Sequence, residues 1–184
     1  MVRRKSKIVK IGNLKIGGGF PILVQSMTNT PGWDVEKTVK QIKKLEKTGC
    51  EIIRIGVPDL RSAKTIKEIK KKINIPLVAD IHYSAELAQE SINQGADKIR
   101  INPGNFPESE LAKIVKLCKK RKIPIRIGIN SGSLEREILG GEKRVTAEMM
   151  VKSALRNIRL MKKLKFYDLV ISLKAPDVER RIIL

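Results

Sequence analysis

Three arginines sit inside short runs of apolar, mostly branched residues: Ile52-Ile53-Arg54-Ile55-Gly56-Val57-Pro58, Lys98-Ile99-Arg100-Ile101-Asn102-Pro103-Gly104-Asn105 and Ile125-Arg126-Ile127-Gly128-Ile129-Asn130. Alternating branched residues suit a pleated strand, and the Gly, Pro and Asn that close each run supply a turn. A charge within such a strand is costly unless something pairs with it. Arginine's planar fork matches carboxylate and phosphate oxygens in pairs. One arginine so placed is compatible with accident. Three at the same point of a repeated unit read as a site that expects negative charge, such as a small ligand with about two phosphate groups. The run Leu77-Val78-Ala79-Asp80-Ile81-His82 adds the one obvious acid, and Leu169-Val170-Ile171-Ser172-Leu173-Lys174 ends in a further cation.

Other chemistries have less support. Asp80 and His82 are spaced as two metal ligands would be, but no third is evident. Cys50 and Cys118 are far apart, neither belongs to a C-x-x-C pair, and His82 is the only histidine. The chain by itself therefore supplies neither a four-ligand zinc site nor a four-cysteine cluster. Both cysteines read as free, small apolar residues of a reducing compartment.

The elements that position these residues follow from periodicity. Lys7 to Ile16 alternates around Gly12-Asn13 and reads as a β-hairpin, a cap or plug before the main fold. Strands are expected at 21–27, 52–57, 77–81, 98–102, 125–129 and 169–173. Helices are expected at 34–48, 60–72, 85–94, 108–122 and 146–164. Strand–helix alternation points to a parallel sheet with helices outside. No glycine-rich loop follows the first strand, so a dinucleotide-binding sheet lacks its main support. The fold expected is an incomplete (β/α)8 barrel of about six of eight strands with an N-terminal β-hairpin. The one long gap, 131–144, reads as an enlarged functional loop.

Strand side chains alternate between faces. The apolar set of each strand would meet the helices. The interior set is then Gln25, Met27, Arg54, Asp80, His82, Arg100, Asn102, Arg126, Asn130, Ser172 and Lys174, with Lys98 on the same face as Arg100. It turns polar toward the C-terminal ends of the strands, where barrels of this kind carry their sites. Each residue also has a plainer reading. One inward arginine could pair with Asp80, His82 could be a hydrogen-bonded structural residue, and Asn102-Pro103-Gly104-Asn105 could be only a turn.

Of 184 residues, 41% are hydrophobic and 32% charged, with a formal net charge of +20. That charge could mean nucleic acid. The lysines, however, crowd 64–72 and 113–122 at helical spacing, and aromatics are only 3%, which leaves few platforms for stacking bases. Solvated helix faces are the better reading, so no nucleic-acid partner is expected. No apolar run approaches the roughly 18 residues of a membrane span, and the basic start leads into a strand pattern rather than a signal core. A cytoplasmic protein with no membrane partner is expected.

In order, Gly12…Gly17-Gly18, Val24-Gln25-Ser26-Met27-Thr28, Val78-Ala79-Asp80-Ile81-His82, 98–105, Arg126 to Leu134 and Val170-Ile171-Ser172-Leu173-Lys174-Ala175 resemble the 4-hydroxy-3-methylbut-2-enyl diphosphate synthases. These are the flavodoxin- or ferredoxin-dependent enzymes of the non-mevalonate isoprenoid pathway. The resemblance covers about 7–178. It implies a barrel that holds 2-C-methyl-D-erythritol 2,4-cyclodiphosphate while two electrons, delivered through a [4Fe-4S] cluster, open its ring with loss of water. It also implies a separate C-terminal domain that ligates the cluster, and a homodimer when full length. On this likeness Arg54, Arg100, Arg126 and Lys174 match the basic residues around the diphosphate, and Asp80, His82, Asn102 and Asn130 match polar residues of the same pocket. Gln25 and Ser172 join them by strand parity.

The family continues beyond the sixth strand, whereas Pro176 and Arg180-Arg181-Ile182-Ile183-Leu184 depart from its pattern. The expectation is one substrate-binding barrel portion over 1–184, made of a hairpin at 7–20 and barrel units at 21–184. It is truncated, lacks the iron–sulfur domain, ligates no cluster itself and is inactive as a reductase alone. The rival readings are a non-catalytic diphosphate-binding fragment and a basic nucleic-acid-binding protein.

Overall fold

In the structure, a computed structural model, residues 6–140 and 144–175 are described. The departures noted at Pro176 and Arg180 to Leu184, and the Gly141 to Lys143 part of the enlarged loop, lie outside the described residues. The chain runs β1 (Val9–Ile11), β2 (Leu14–Ile16), β3 (Gln25–Met27), α1 (Val35–Lys47), β4 (Ile52–Gly56), α2 (Leu60–Lys70), β5 (Leu77–Asp80), α3 (Ala85–Asn93), β6 (Lys98–Ile101), α4 (Glu108–Arg121), β7 (Ile125–Asn130), α5 (Arg136–Leu139), α6 (Ala147–Lys163) and β8 (Leu169–Lys174). β1 and β2 form an antiparallel hairpin. β3 to β8 form one six-stranded parallel sheet in sequence order, as the alternation predicts.

Local chemistry sets the helix ends. Asp34, Asp59, Ser84 and Thr146 accept hydrogen bonds from backbone N–H groups in the first turns of α1, α2, α3 and α6, satisfying donors that a helix start leaves free. Gly49 and Gly95 follow α1 and α3 with φ of +91° and +92°, a left-handed stop that costs glycine little.

The alternating parity holds in β4 to β7; in β8, at the sheet edge, Ile171 of the expected helix-facing set is exposed instead. Ile53, Ile55, Leu77, Ala79, Ile99, Ile101, Ile125 and Ile127 are fully buried. They pack in one cluster with Val39, Ile42, Ile66, Ile69, Ile92, Leu111, Ile114 and Met150 of the helices. The sheet also curls. Three strand spacings separate β3 from β6 by about 14 Å in a flat sheet, yet Lys98 Nζ of β6 lies 3.3 Å from Gln25 Oε1 of β3. The inward faces therefore converge on a common interior.

The hairpin closes the N-terminal end of that interior. Ile11 is fully buried and packs with Ile52 and Val78, the inward apolar residues beneath the polar layer. Ile11→Ala is expected to lower stability by about 2–5 kcal/mol, the usual cost of emptying a branched core position. Urea unfolding should show a lower midpoint with an unchanged slope.

Two elements differ from expectation. The first barrel strand is three residues long rather than Pro21 to Met27, because β3 pairs only with β4 among the described residues and Pro21 has no N–H to give. Ile22 and Val24 beside it are 81% and 58% exposed. The described part of the enlarged loop also carries short helical elements: Ser131–Ser133 makes a single 3-10 turn and α5 follows it.

Candidate functional site

The site begins with a parity fact. Arg54 of β4, Asp80 of β5, Arg100 of β6 and Arg126 of β7 all stand on the inward face. Asp80 pairs in register with Arg100, and Arg100 with Arg126. Asp80 is 4% exposed and Arg100 7%. Arg100 Nη1 donates to Asp80 Oδ1 at 3.0 Å, and Arg54 Nε lies 3.5 Å from Asp80 Oδ2. His82 Nε2 is 3.5 Å from the same carboxylate. Asp80 thus pairs with two arginines at once.

Arg126 has no carboxylate within ion-pair distance among the described residues. Its Nη2 donates to Ser172 Oγ at 2.8 Å, and its buried Nε has no hydrogen-bond partner. Burial first, then the charges of Arg54 and Arg100, pull its pKa below the ordinary arginine value. Arginine keeps its proton regardless, so the shift marks a positive charge without full compensation.

Arg100 owes its place to a glycine. A Cβ on Gly128 would collide with Arg100 Nε and lie 2.8 Å from Cζ. Gly128 is inward on β7 between Arg126 and Asn130, and its missing side chain is the notch that seats the guanidinium.

An open pocket of ≈ 470 Å³ adjoins this cluster at the C-terminal ends of β3 to β5, lined by Met27, Gly56, Asp80, His82 and Tyr83 among others. The turn after β6 is tied to it through His82. Asn102 Oδ1 accepts from Gly104 N at 3.3 Å, Asn105 Nδ2 donates to His82 O at 3.0 Å, and Gly104 N also donates to Asn157 Oδ1 of α6 at 3.1 Å. Asn157 Nδ2 and Ser153 Oγ in turn donate to the Glu135 carboxylate at 3.2 and 2.7 Å. Asn157 and Ser153 are each 1% exposed. Asn157→Leu strands these buried groups, so it should destabilise the fold by about 1–3 kcal/mol and weaken ligand affinity by loosening the turn that carries Asn102. Thermal melting and titration calorimetry of the same sample measure both.

The residues singled out from the sequence divide into groups. Arg54, Asp80, His82 and Arg100 share one set of contacts, Arg126 bonds Ser172 on the neighbouring strands, and Asn102 holds the turn after β6. Asn130 and Lys174 pair in register at the ends of β7 and β8. Gln25 sits deeper and accepts from Lys98. Parity placed Lys98 inward but did not single it out as a site residue. Gly128 carried a faint signal, a glycine at an inward position between two polar ones. Glu135, Ser153 and Asn157 carried none, since their partners lie far away in sequence.

Among the described residues, no group of three or more His, Cys, Asp or Glu could hold a metal ion, and no helix is long and apolar enough to cross a membrane. Compared with known proteins, residues 6–183 match the family model described as the GcpE TIM-barrel domain. The 4-hydroxy-3-methylbut-2-en-1-yl diphosphate synthase (flavodoxin) of Caldanaerobacter subterraneus subsp. tengcongensis is 61% identical over 178 residues, covering 96% of this chain and 50% of the relative. The protein of the same name from Caldicellulosiruptor saccharolyticus is 56% identical over 174 residues, covering 94% and 50%. The chain spans about half the length of these curated relatives. Among solved structures, the 7,8-dihydropteroate synthase of Vibrio fischeri superposes with a TM-score of 0.63 at 15% identity, over 90% of this chain and 66% of that one. At such identity the likeness speaks for the fold alone.

Proposed function

This chain belongs to the GcpE TIM-barrel domain family, and from that premise we propose that it is the substrate-binding barrel of a flavodoxin-dependent 4-hydroxy-3-methylbut-2-enyl diphosphate synthase. Its ligand is 2-C-methyl-D-erythritol 2,4-cyclodiphosphate, an intermediate of the non-mevalonate route to isoprenoids. The observation that carries this reading is the charge balance of the interior: Arg54 and Arg100 share a single carboxylate, and Arg126 beside them has no acid within ion-pair distance among the described residues. A doubly charged diphosphate supplies the missing negative charge.

The residues take distinct parts. Arg54, Arg100, Arg126 and Lys174 bind and neutralise the diphosphate. Asn102, Asn130, His82 and Ser172 orient the ligand, Asp80 holds Arg54 and Arg100 in place, and Gln25 supports the layer from below. Orientation and charge neutralisation are what such a barrel contributes to the whole enzyme's reductive ring opening.

The [4Fe-4S] cluster of the whole enzyme does not fit this chain's own residues. Cys50 and Cys118 are both buried, and burial pushes the Cys118 thiol up to about 12, the opposite of what a thiolate ligand needs. In this reading the unit is one substrate domain over 1–184, with the hairpin at 7–20 and the barrel units at 21–184. In the full-length, cytoplasmic homodimer, a further domain holds the cluster, and flavodoxin or ferredoxin supplies the electrons.

Titration of the cyclic diphosphate into the purified chain tests the binding. A saturable heat that weakens as salt rises is expected. A chain that unfolds cooperatively but gives no heat and no ligand-dependent rise in melting temperature overturns the reading. Turnover after mixing with a separately made cluster portion of a relative distinguishes the synthase barrel from a non-catalytic diphosphate-binding fragment.

A further inference from the structure

Beneath the arginines lies another cation. Lys98 stands on β6 two residues before Arg100 and shares its inward face. It is 2% exposed, and its Nζ reaches Gln25 Oε1 at 3.3 Å. That amide is neutral. No carboxylate lies within ion-pair distance of Lys98 among the described residues. The groups around it come from every side of the interior. Arg54 faces it from β4 and Arg126 from β7, both of like charge. From β5, Val78 is its register partner, and Asp80, one inward step higher, is taken by Arg54 and Arg100. β3 offers only Gln25, and Ser172 of β8 is committed to Arg126. A charged ammonium so placed is desolvated and repelled from above.

Anion binding reverses the sign of that repulsion. A ligand that lies across Arg54, Arg100 and Arg126 brings negative charge to the layer over Lys98. An opposite charge within about 4–6 Å typically moves a pKa by 1–3 units toward the charged form. We propose that Lys98 is the proton-taking floor of the anion site, so that binding the diphosphate and protonating this lysine are one coupled event. The inference rests on the anion-binding reading above and adds to it a regulation by pH. The one covalent change is a new N–H bond at Nζ. The proton comes from solvent and moves to Nζ.

Burial, then Arg126 and Arg54, lower the free lysine's pKa to about 8. Linkage then sets the sign. Near pH 8 about half of the empty sites carry the extra proton, and a ligand that favours the charged form takes up about half a proton per site. Affinity therefore falls as pH rises through about 8 and levels off below it.

The experiment is calorimetric titration of 2-C-methyl-D-erythritol 2,4-cyclodiphosphate at pH 8 in two buffers of different ionisation enthalpy. Each phosphate of this ligand has one acidic oxygen, already ionised at pH 8, so the ligand itself does not titrate there. The buffer dependence of the heat counts the protons taken up. Wild type should take up about half a proton. Lys98→Arg keeps a charge that does not titrate, so it should bind the ligand with no uptake. Lys98→Met should bind more weakly, also with no uptake, and its melting curve reports whether it folds. Binding by wild type without uptake, or the same uptake in Lys98→Arg, overturns the inference and leaves the anion site standing. No binding by folded wild type overturns the anion-site reading itself.

Discussion

Arg100→Ala is expected to weaken binding of the cyclic diphosphate by about 100-fold, the scale of a charge-assisted, two-pronged contact at about 1.4 kcal/mol per tenfold. Arg100 is the most central of the three arginines. It pairs in register with Asp80 on one side and with Arg126 on the other, and it is the only one of the three that is buried. Its loss acts twice. The ligand loses a fork of donors, and Asp80 loses its 3.0 Å partner, keeping Arg54 at 3.5 Å and His82 at 3.5 Å. A poorly compensated buried carboxylate costs about 1–3 kcal/mol of stability. Arg100→Lys keeps the charge but not the fork, so its affinity should fall between those of wild type and the alanine variant. Calorimetric affinity and urea unfolding on the same three proteins separate the two losses. Arg100→Ala with affinity within twofold of wild type would mean that this arginine does not face the ligand, and the inward assignment of the cationic layer would be wrong.

Gly128→Ala should be nearly as damaging as removing Arg100, although it adds only a methyl group. Gly128 does not have a positive φ, so its backbone accepts alanine. The penalty comes from the Arg100 guanidinium, whose Nε the new carbon would overlap and whose Cζ lies 2.8 Å from it. A free arginine tip would swing away. This one is buried and tied to Asp80 Oδ1 and, through Nη2, to Gly128 O at 3.4 Å. Overpacking of this sort costs about 1–3 kcal/mol, and displacement of the fork should lower ligand affinity at least tenfold. The decisive comparison is the double variant. In the Arg100→Ala background the space is empty, so Gly128→Ala should cost less than about 0.5 kcal/mol further, a coupling that a double-mutant cycle reads directly. A Gly128→Ala penalty of the same size in both backgrounds would show that the glycine serves the strand and not the arginine.

The inward face of the barrel was legible from alternation, because period two is a property of the strand itself. Arg54, Asp80, Arg100 and Arg126 needed only their positions between branched apolar residues to be placed on one side. Helix starts were legible at Asp34, because a cap acts over three residues. The first strand was overread, because Pro21 to Val24 has the composition of a strand but lies on a sheet edge with one partner, and composition does not report pairing. The small helix α5 fell in a stretch read as loop, since four residues carry almost no periodic signal.

The sequence by itself determined the alternation of elements, the sign of the interior charge and the end of the barrel at which it gathers. Each is set by residues within a few positions of one another. Only the tertiary structure decided which cation meets which acid. That choice depends on strand register and on the curl that brings β6 over β3. So Asp80 serves two arginines, Gly128 makes room for a side chain 28 residues away, Asn157 fastens Gly104 across 53 residues, and Lys98 is left buried against a neutral amide. These pairings bridge separations at which local periodicity has no reach, and they turn a set of inward charges into a cationic layer of defined geometry.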